Sequence, residues 1–288
     1  MELKRQFHLT RQFFRRFLPL QDIPQQLFIV GAQKAGTTSL HAYLIQHQKI
    51  VEGDSKELAF FHKDAVYAKG VDYYRARFPI YVCKDCWALD STPENLYLPR
   101  AAKRIKQYAP NAKIIILLRE PVSRALSAFN MYQQISGDSK QFMDYLKTSN
   151  AASRKFFMPI ARGEVYPDLD HFLNTELSAM SDDKLEEPAL IRRGIYAPQI
   201  RRYVNLFGIE NVLIIFSDEL KTETHATVNR VLDFVGLDRI DHFDSAPRHV
   251  REYSVDQSGK DRIRKVAGVY FAKDKEDLKD QFDLDAPW

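Results

Sequence analysis

The stretch "FIVGAQKAGTTSL", residues 28–40, decides how the chain is read. An apolar, strand-like run ends at Gly31, four residues intervene, and Gly36 leads through Thr37, Thr38 and Ser39 into a helical pattern. This is the G-x-x-x-x-G frame of phosphate loops. The backbone N–H groups of residues 35–39, from Ala35 and Gly36 onward, are expected to face an anion at the helix amino end, where the helix dipole favours negative charge. The three hydroxyls add donors. In the nucleotidase form of such a loop, Lys follows the second Gly and the adjoining Ser or Thr holds magnesium. Here Lys34 precedes Gly36 and no Gly-Lys-Ser/Thr is present.

A loop without the magnesium arrangement suits a donor whose transferred group carries less charge than a phosphoryl group, and a sulfuryl group fits. A second stretch, "KIIILLREPVSRALSAF", places Arg119 at the carboxyl end of a buried strand, where open sheets bind ligands. Pro121 opens a helix at its favoured first turn, and Ser127 follows Arg119 by eight residues. Arg119 and Ser127 together make a fork for a second, separate phosphate. The competing reading pairs Arg119 with an acid at the sheet edge.

The chain has 288 residues, a net charge of +4, 45% hydrophobic and 28% charged residues. That length suits an α/β domain with a sizeable core. The mild basic excess suits an anionic ligand but gives no footprint for nucleic acid. No run approaches the ~18 apolar residues of a membrane span and no signal pattern opens the sequence, so the cytoplasm is the default compartment. Residues 1–24 read as a basic, aromatic extension ("MELKRQFHLTRQFFRRFLPLQD"). Such a segment either packs its Phe face on the domain or rests peripherally on an anionic membrane surface. Residues 25–288 read as one domain. Cys83 and Cys86 are the chain's two cysteines, and they read as structural free thiols, because the C-x-x-C run leads into a strand and lacks further metal ligands.

Short continuous apolar runs at "QLFIVGA", "CWALDST", "KIIILLRE" and "NVLIIFSDE" alternate with helical patterns. The expected fold is a P-loop-like three-layer α/β architecture, a central parallel sheet flanked by helices. Residues 137–190 interrupt the rhythm and are expected to carry helices of their own at the edge where specificity is built.

These residues carry a resemblance. "GAQKAGTTSL" is similar to the 5′-phosphosulfate loop of sulfotransferases, and "LLREPVSRALSAF" to their 3′-phosphate motif, including the Arg-to-Ser spacing. "KELAFFHKD", "DSTPENLYLPRAAKRIKQYAPNAKIIILLRE", "RRGIYAPQIRRYVNLFGIENVLIIFSDEL" and the ending "YFAKDKEDLKDQFDLDAPW" resemble the heparan sulfate branch and its bacterial relatives. The resemblance implies 3′-phosphoadenosine 5′-phosphosulfate (PAPS) as donor, no metal requirement, and a hydroxyl acceptor, a small molecule or glycan, most readily a carbohydrate. It implies Lys34 as charge stabiliser and Glu57, in "KELAFF", as the base. An acid placed there is also partly desolvated, which favours base strength; His62 is the competing base. The chain departs from the branch at Ala59 (His in 3-O members), Ser91 (Lys before Thr-Pro) and Gln199 (His in N-sulfating members). It lacks the carboxyl-terminal disulfide loop, whose phosphate contacts fall to Arg248 or Arg251. Arg75, Arg77, Arg192, Arg193, Arg201 and Arg202 are candidates to line a cleft for an acidic glycan. Two rival readings are a P-loop kinase, with Asp90 as its magnesium carboxylate, and a catalytically silent PAPS-binding protein.

Overall fold

Five short strands form a single parallel sheet in the order β2-β3-β1-β4-β5: β1 Gln25–Gly31, β2 Ile50–Glu52, β3 Trp87–Asp90, β4 Lys113–Leu118 and β5 Val212–Phe216. The computed structural model describes residues 25–79, 85–147, 151–164, 166–180, 187–248 and 256–288. The amino-terminal extension, Cys83 and Arg251 lie outside the described residues. Neighbouring registers run Phe28 beside Asp90, Leu27 beside Lys113 and Ile114 beside Val212. The central strands are apolar and buried along nearly their whole length, as strands covered on both faces must be.

Helices fill both faces. They run, in chain order, α1 Thr37–Leu44, α2 Asp64–Tyr67, α3 Val71–Arg75, α4 Glu94–Tyr97, α5 Pro99–Tyr108, α6 Pro121–Ser136, α7 Ser139–Lys147, α8 Ala151–Ala161, α9 Leu169–Ser178, α10 Ala197–Phe207, α11 Ser217–Thr222, α12 Thr224–Phe234 and α13 Gln257–Phe282. Pro99 splits one long helical pattern into α4 and α5, because Leu98 before it is held extended. The connections of β1 and β4 leave toward opposite edges of the sheet. Their carboxyl ends therefore flank the switch point, where a crevice opens.

Two structural features differ from the sequence expectation. The insertion does carry its own helices, α7 to α9, but they pack with α6 and α13 into a second apolar cluster around Tyr132, Phe157 and Phe172, and only α6 of that cluster, through Tyr132, borders the crevice. Cys86 is buried and disulfide-bonded, not a free thiol.

The last helix packs against α6, α9 and α10. Ile263, Ala267, Phe271, Asp274 and Leu278 are buried on α13 at spacings of four, four, three and four, one face of a helix. Asp274 sits in that face because it accepts from the Tyr196 N–H at 2.7 Å and the Ala197 N–H at 2.8 Å, two amide groups at the start of α10 that lack intrahelical partners. Burial pushes its carboxyl up to about 6 even so. Asp274→Ala strands both amides and should cost about 2–3 kcal/mol. Asp277→Ala, which removes only an exposed pair with Lys273, should cost less than ~0.5 kcal/mol. Urea unfolding of the two variants side by side checks this contrast.

Candidate functional site

The loop after β1 is shaped from behind. Lys34 and Gly36 both adopt positive φ, 70° and 98°, which turns successive peptides the same way. Two carbonyls face the protein and are held there. Arg119 Nη1 donates to Lys34 O at 3.0 Å, and Ser217 Oγ donates to Ala35 O at 2.5 Å. Each donor is the first residue after a strand, β4 and β5. Gly31 is required for another reason: a Cβ there would lie 2.7 Å from Leu96 Cβ and 2.9 Å from Pro93 O, so α4 can pack on the loop only against glycine.

With the carbonyls turned back, the amides face the crevice. The Ala35 N–H is spent on Ala32 O at 3.1 Å, so the sequence-based set of donors shortens by one. Among the described residues, Gly36, Thr37, Thr38 and Ser39 have no backbone acceptor for their N–H groups, and the next amide, Leu40, returns to Gly36 O. Four amides at the positive end of α1 make an anion seat. Thr37 Oγ1 lies 3.3 Å from Lys56 Nζ, which adds a second lysine to the seat.

A cleft of approximately 820 Å³ opens over this seat. Lys34 to Ser39, Arg119, Ser127 and Glu57 all line it, as do Gln33, Lys56, Glu94 and Arg248, residues far apart in sequence. Ser127 faces it from α6, two turns beyond Arg119. Arg119 is fixed further by Tyr196, whose hydroxyl donates to Arg119 O at 2.7 Å. Arg248 closes the far side of α1, its backbone N–H donating to Ser39 Oγ at 3.2 Å. Lys56, Glu94 and Ser217 were not singled out from the sequence. Their signal was position alone, beside Glu57, after Pro93 and at the end of β5.

The acidic wall has unusual electrostatics. The Glu57 carboxylate pairs with Lys56 at 2.9 Å, and 47% of its side chain stays accessible. Burial of the rest, together with the charge of Glu94, raises its pKa above the usual range, and Lys56 only partly offsets this. Glu94 Oε1 accepts from Gln33 Nε2 at 3.3 Å. His62 is buried behind this wall and is not among the cleft's lining residues; desolvation lowers its pKa to about 4.

Other candidates serve the fold. Asp90 is fully buried, accepting from Thr92 Oγ1 at 2.6 Å and Tyr74 OH at 3.3 Å, and burial pushes its carboxyl up to about 6. It does not face the cleft, so it offers no magnesium carboxylate there. Ser91 hydrogen-bonds His41 at 2.8 Å, and the Gln199 amide donates to the carbonyls of Arg192, Arg193 and Ile195. The six arginines considered for an acidic glycan are absent from the cleft lining. Arg77 pairs with Asp54 at 2.6 Å, Arg192 with Glu176 at 3.4 Å, Arg193 with Glu187 at 2.5 Å and Arg75 with Asp72 at 3.8 Å. Arg201 donates to Gln281, and Arg202 to the carbonyls of Leu96 and Tyr97.

Comparison with known proteins gives the family. Residues 24–254 match the family model described as "Sulfotransferase domain". Mouse heparan sulfate glucosamine 3-O-sulfotransferase 5 is 28% identical over 221 residues, covering 76% of this chain and 56% of that protein. The membrane-associated sulfotransferase kil1 of Dictyostelium discoideum is 23% identical, covering 90% of this chain and 65% of its own length. The chain thus spans between half and two thirds of the length of these curated relatives. A solved sulfotransferase from Alicyclobacillus acidocaldarius superposes with a TM-score of 0.66 at 24% identity, covering 92% of this chain and 98% of that one, which shows a shared fold. With a family match over most of its length and a phosphate loop and strand-end arginine meeting at one cleft, the chain belongs to the family of PAPS-dependent sulfotransferase domains.

Proposed function

We propose that the protein transfers a sulfuryl group from PAPS to an acceptor hydroxyl by in-line displacement, with Glu57 as the base. One observation carries the reading: the anion seat, the Arg119–Ser127 pair and a carboxylate of raised pKa all line one cleft. The mouse relative's name, which specifies heparan sulfate glucosamine, supports a carbohydrate as the class of acceptor.

The residues fit PAPS at both ends. The amides of Gly36 to Ser39, the Thr37 and Thr38 hydroxyls and Lys34 would hold the 5′-phosphosulfate, with Ala35 shaping the loop between them. Arg119 and Ser127 would hold the 3′-phosphate, and so distinguish PAPS from ATP. Arg248, already bonded to Ser39 at the cleft's edge, takes the closing role considered for Arg251. PAPS supplies the sulfuryl group, whose bond to the 5′-phosphate oxygen breaks as the acceptor oxygen bonds to sulfur. Glu57 takes the acceptor's proton, and its raised pKa strengthens it as a base at neutral pH. Lys34 and the loop amides stabilise the negative charge left on the departing oxygen, which is fixed, preorganised electrostatics. Lys56 bridges the two parts, touching both Thr37 and Glu57.

Four variants test these roles. Ser127→Ala should weaken adenosine 3′,5′-bisphosphate by about 1.5–3 kcal/mol, roughly 10- to 100-fold, while leaving the 5′-monophosphate within about twofold. Arg119→Ala should weaken both ligands, because Arg119 also holds the loop carbonyl; calorimetric titration separates the two patterns. Lys34→Ala should reduce turnover at saturating PAPS by about 100-fold or more, with a smaller loss of nucleotide affinity; unchanged turnover would leave Lys34 as a binding residue only. Glu57→Gln should lower transfer by roughly 100-fold with bisphosphate affinity intact. Because a base works deprotonated and the Glu57 pKa is raised, the acid limb of the wild-type kcat/KM profile should lie above the ordinary glutamate range. That limb should vanish from the residual activity of Glu57→Gln.

A further inference from the structure

The charges that line the cleft are divided unevenly, and the division bears on the acceptor. Lys34 belongs to the loop, and Arg119 is bonded to it. Lys56 is shared between Thr37 and Glu57. Lys221 is paired with Asp218 at 3.2 Å, and the Arg248 guanidinium with Asp244. Every one of these lining cations is thus committed either to the anion seat or to an acid.

The remaining charged groups on the lining are two carboxylates, Glu57 and Glu94. Glu94 opens α4 directly after Pro93, half-buried, and its one hydrogen-bonded side-chain partner among the described residues is Gln33. Gln33 is the neighbour of Lys34, so this carboxylate stands beside the reacting end of the loop. Burial would raise its pKa, but Arg193 and Lys56 among the surrounding charges outweigh that and hold it below the usual range, so Glu94 is ionised at neutral pH. Arg193 and Lys63, which balance this charge through the protein, are absent from the lining, and Arg193 is pinned to Glu187. Beside Gln33, an incoming acceptor therefore meets the carboxylate oxygens of Glu57 and Glu94, whereas the lining guanidinium groups of Arg119 and Arg248 are held to the loop carbonyl and to Asp244. Like charges facing each other across a partly desolvated site reject a ligand as strongly as good contacts attract one.

We infer that Glu94 is a specificity-determining residue that selects acceptors by charge, favouring an amine-bearing hydroxyl compound over a neutral one and rejecting one with a carboxylate near the reacting hydroxyl. The inference rests on the sulfuryl-transfer reading of the cleft and narrows its acceptor class. It separates this chain from the polyanion that the mouse relative's name specifies.

The test uses the full chain saturated with adenosine 3′,5′-bisphosphate and three p-nitrophenyl glycosides that share one ring: the 2-amino-2-deoxyglucoside, the glucoside and the glucuronide. Dissociation constants from calorimetry or saturation-transfer NMR should rank amine tightest and glucuronide weakest, with about a 10-fold or larger spread. Glu94→Gln should collapse that spread to within about threefold, and Glu94→Asp, which keeps the charge, should preserve the ranking. Equal or preferred binding of the glucuronide, a ranking untouched by Glu94→Gln, or no binding of any of the three overturns the inference. Sulfuryl transfer to the same glycosides is read separately. The predicted ranking without transfer would count against the transferase reading and not against Glu94. Transfer with the glucuronide preferred would do the reverse.

Discussion

Two hydrogen bonds to backbone carbonyls, from Arg119 to Lys34 and from Ser217 to Ala35, set the direction in which the phosphate loop faces. A peptide group has two ends. Fixing its C=O toward the sheet turns the N–H of the same peptide the other way. For Ala35 O that is the Gly36 N–H, which has no backbone acceptor among the described residues and faces the crevice, while for Lys34 O it is the Ala35 N–H, which closes the turn on Ala32 O. The bonds come from the residues that directly follow β4 and β5, so the loop's geometry is tied to the register of the parallel sheet. Strand order, the switch point beside β1 and the amides of α1 thus form one dependent chain of causes.

Arg119 consequently ties the loop backbone to the end of β4 while its side chain also lines the cleft. A ligand that orders the Arg119 side chain also steadies the 5′ end of the site through Lys34 O. In the proposed reading the two ends of a bisphosphate nucleotide would be coupled through a single guanidinium, a geometry that a lysine, with no planar fork, would not reproduce.

Much of the fold was legible because the four longer strands are continuous apolar runs and the helices between them have clear starts and stops. β2 was not, since three residues at a sheet edge, Ile50–Glu52, leave too short a pattern. α13 escaped because its face is interrupted by Asp274, a carboxylate whose burial makes sense only once Tyr196 and Ala197 are beside it. In the site, the glycine frame and the Arg119–Ser127 spacing could be read locally. Lys56, Glu94 and Ser217 could not, for each matters through a partner 19 to 182 residues away. The arginines misled for the same reason: composition reveals a positive charge but not the acid or carbonyl that has already claimed it.

The link from α13 to α10 has a consequence for where the protein can be cut. The family match ends at residue 254, before α13 begins at Gln257. A truncation placed at that boundary would retain both nucleotide motifs yet strip the Tyr196 and Ala197 amides of Asp274 and uncover the apolar groove that Ile263, Ala267 and Phe271 fill. Tyr196 is the residue whose hydroxyl holds the Arg119 backbone. The segment beyond the recognisable family boundary therefore packs into the same body as the two motifs, and a cut there would expose what α13 covers.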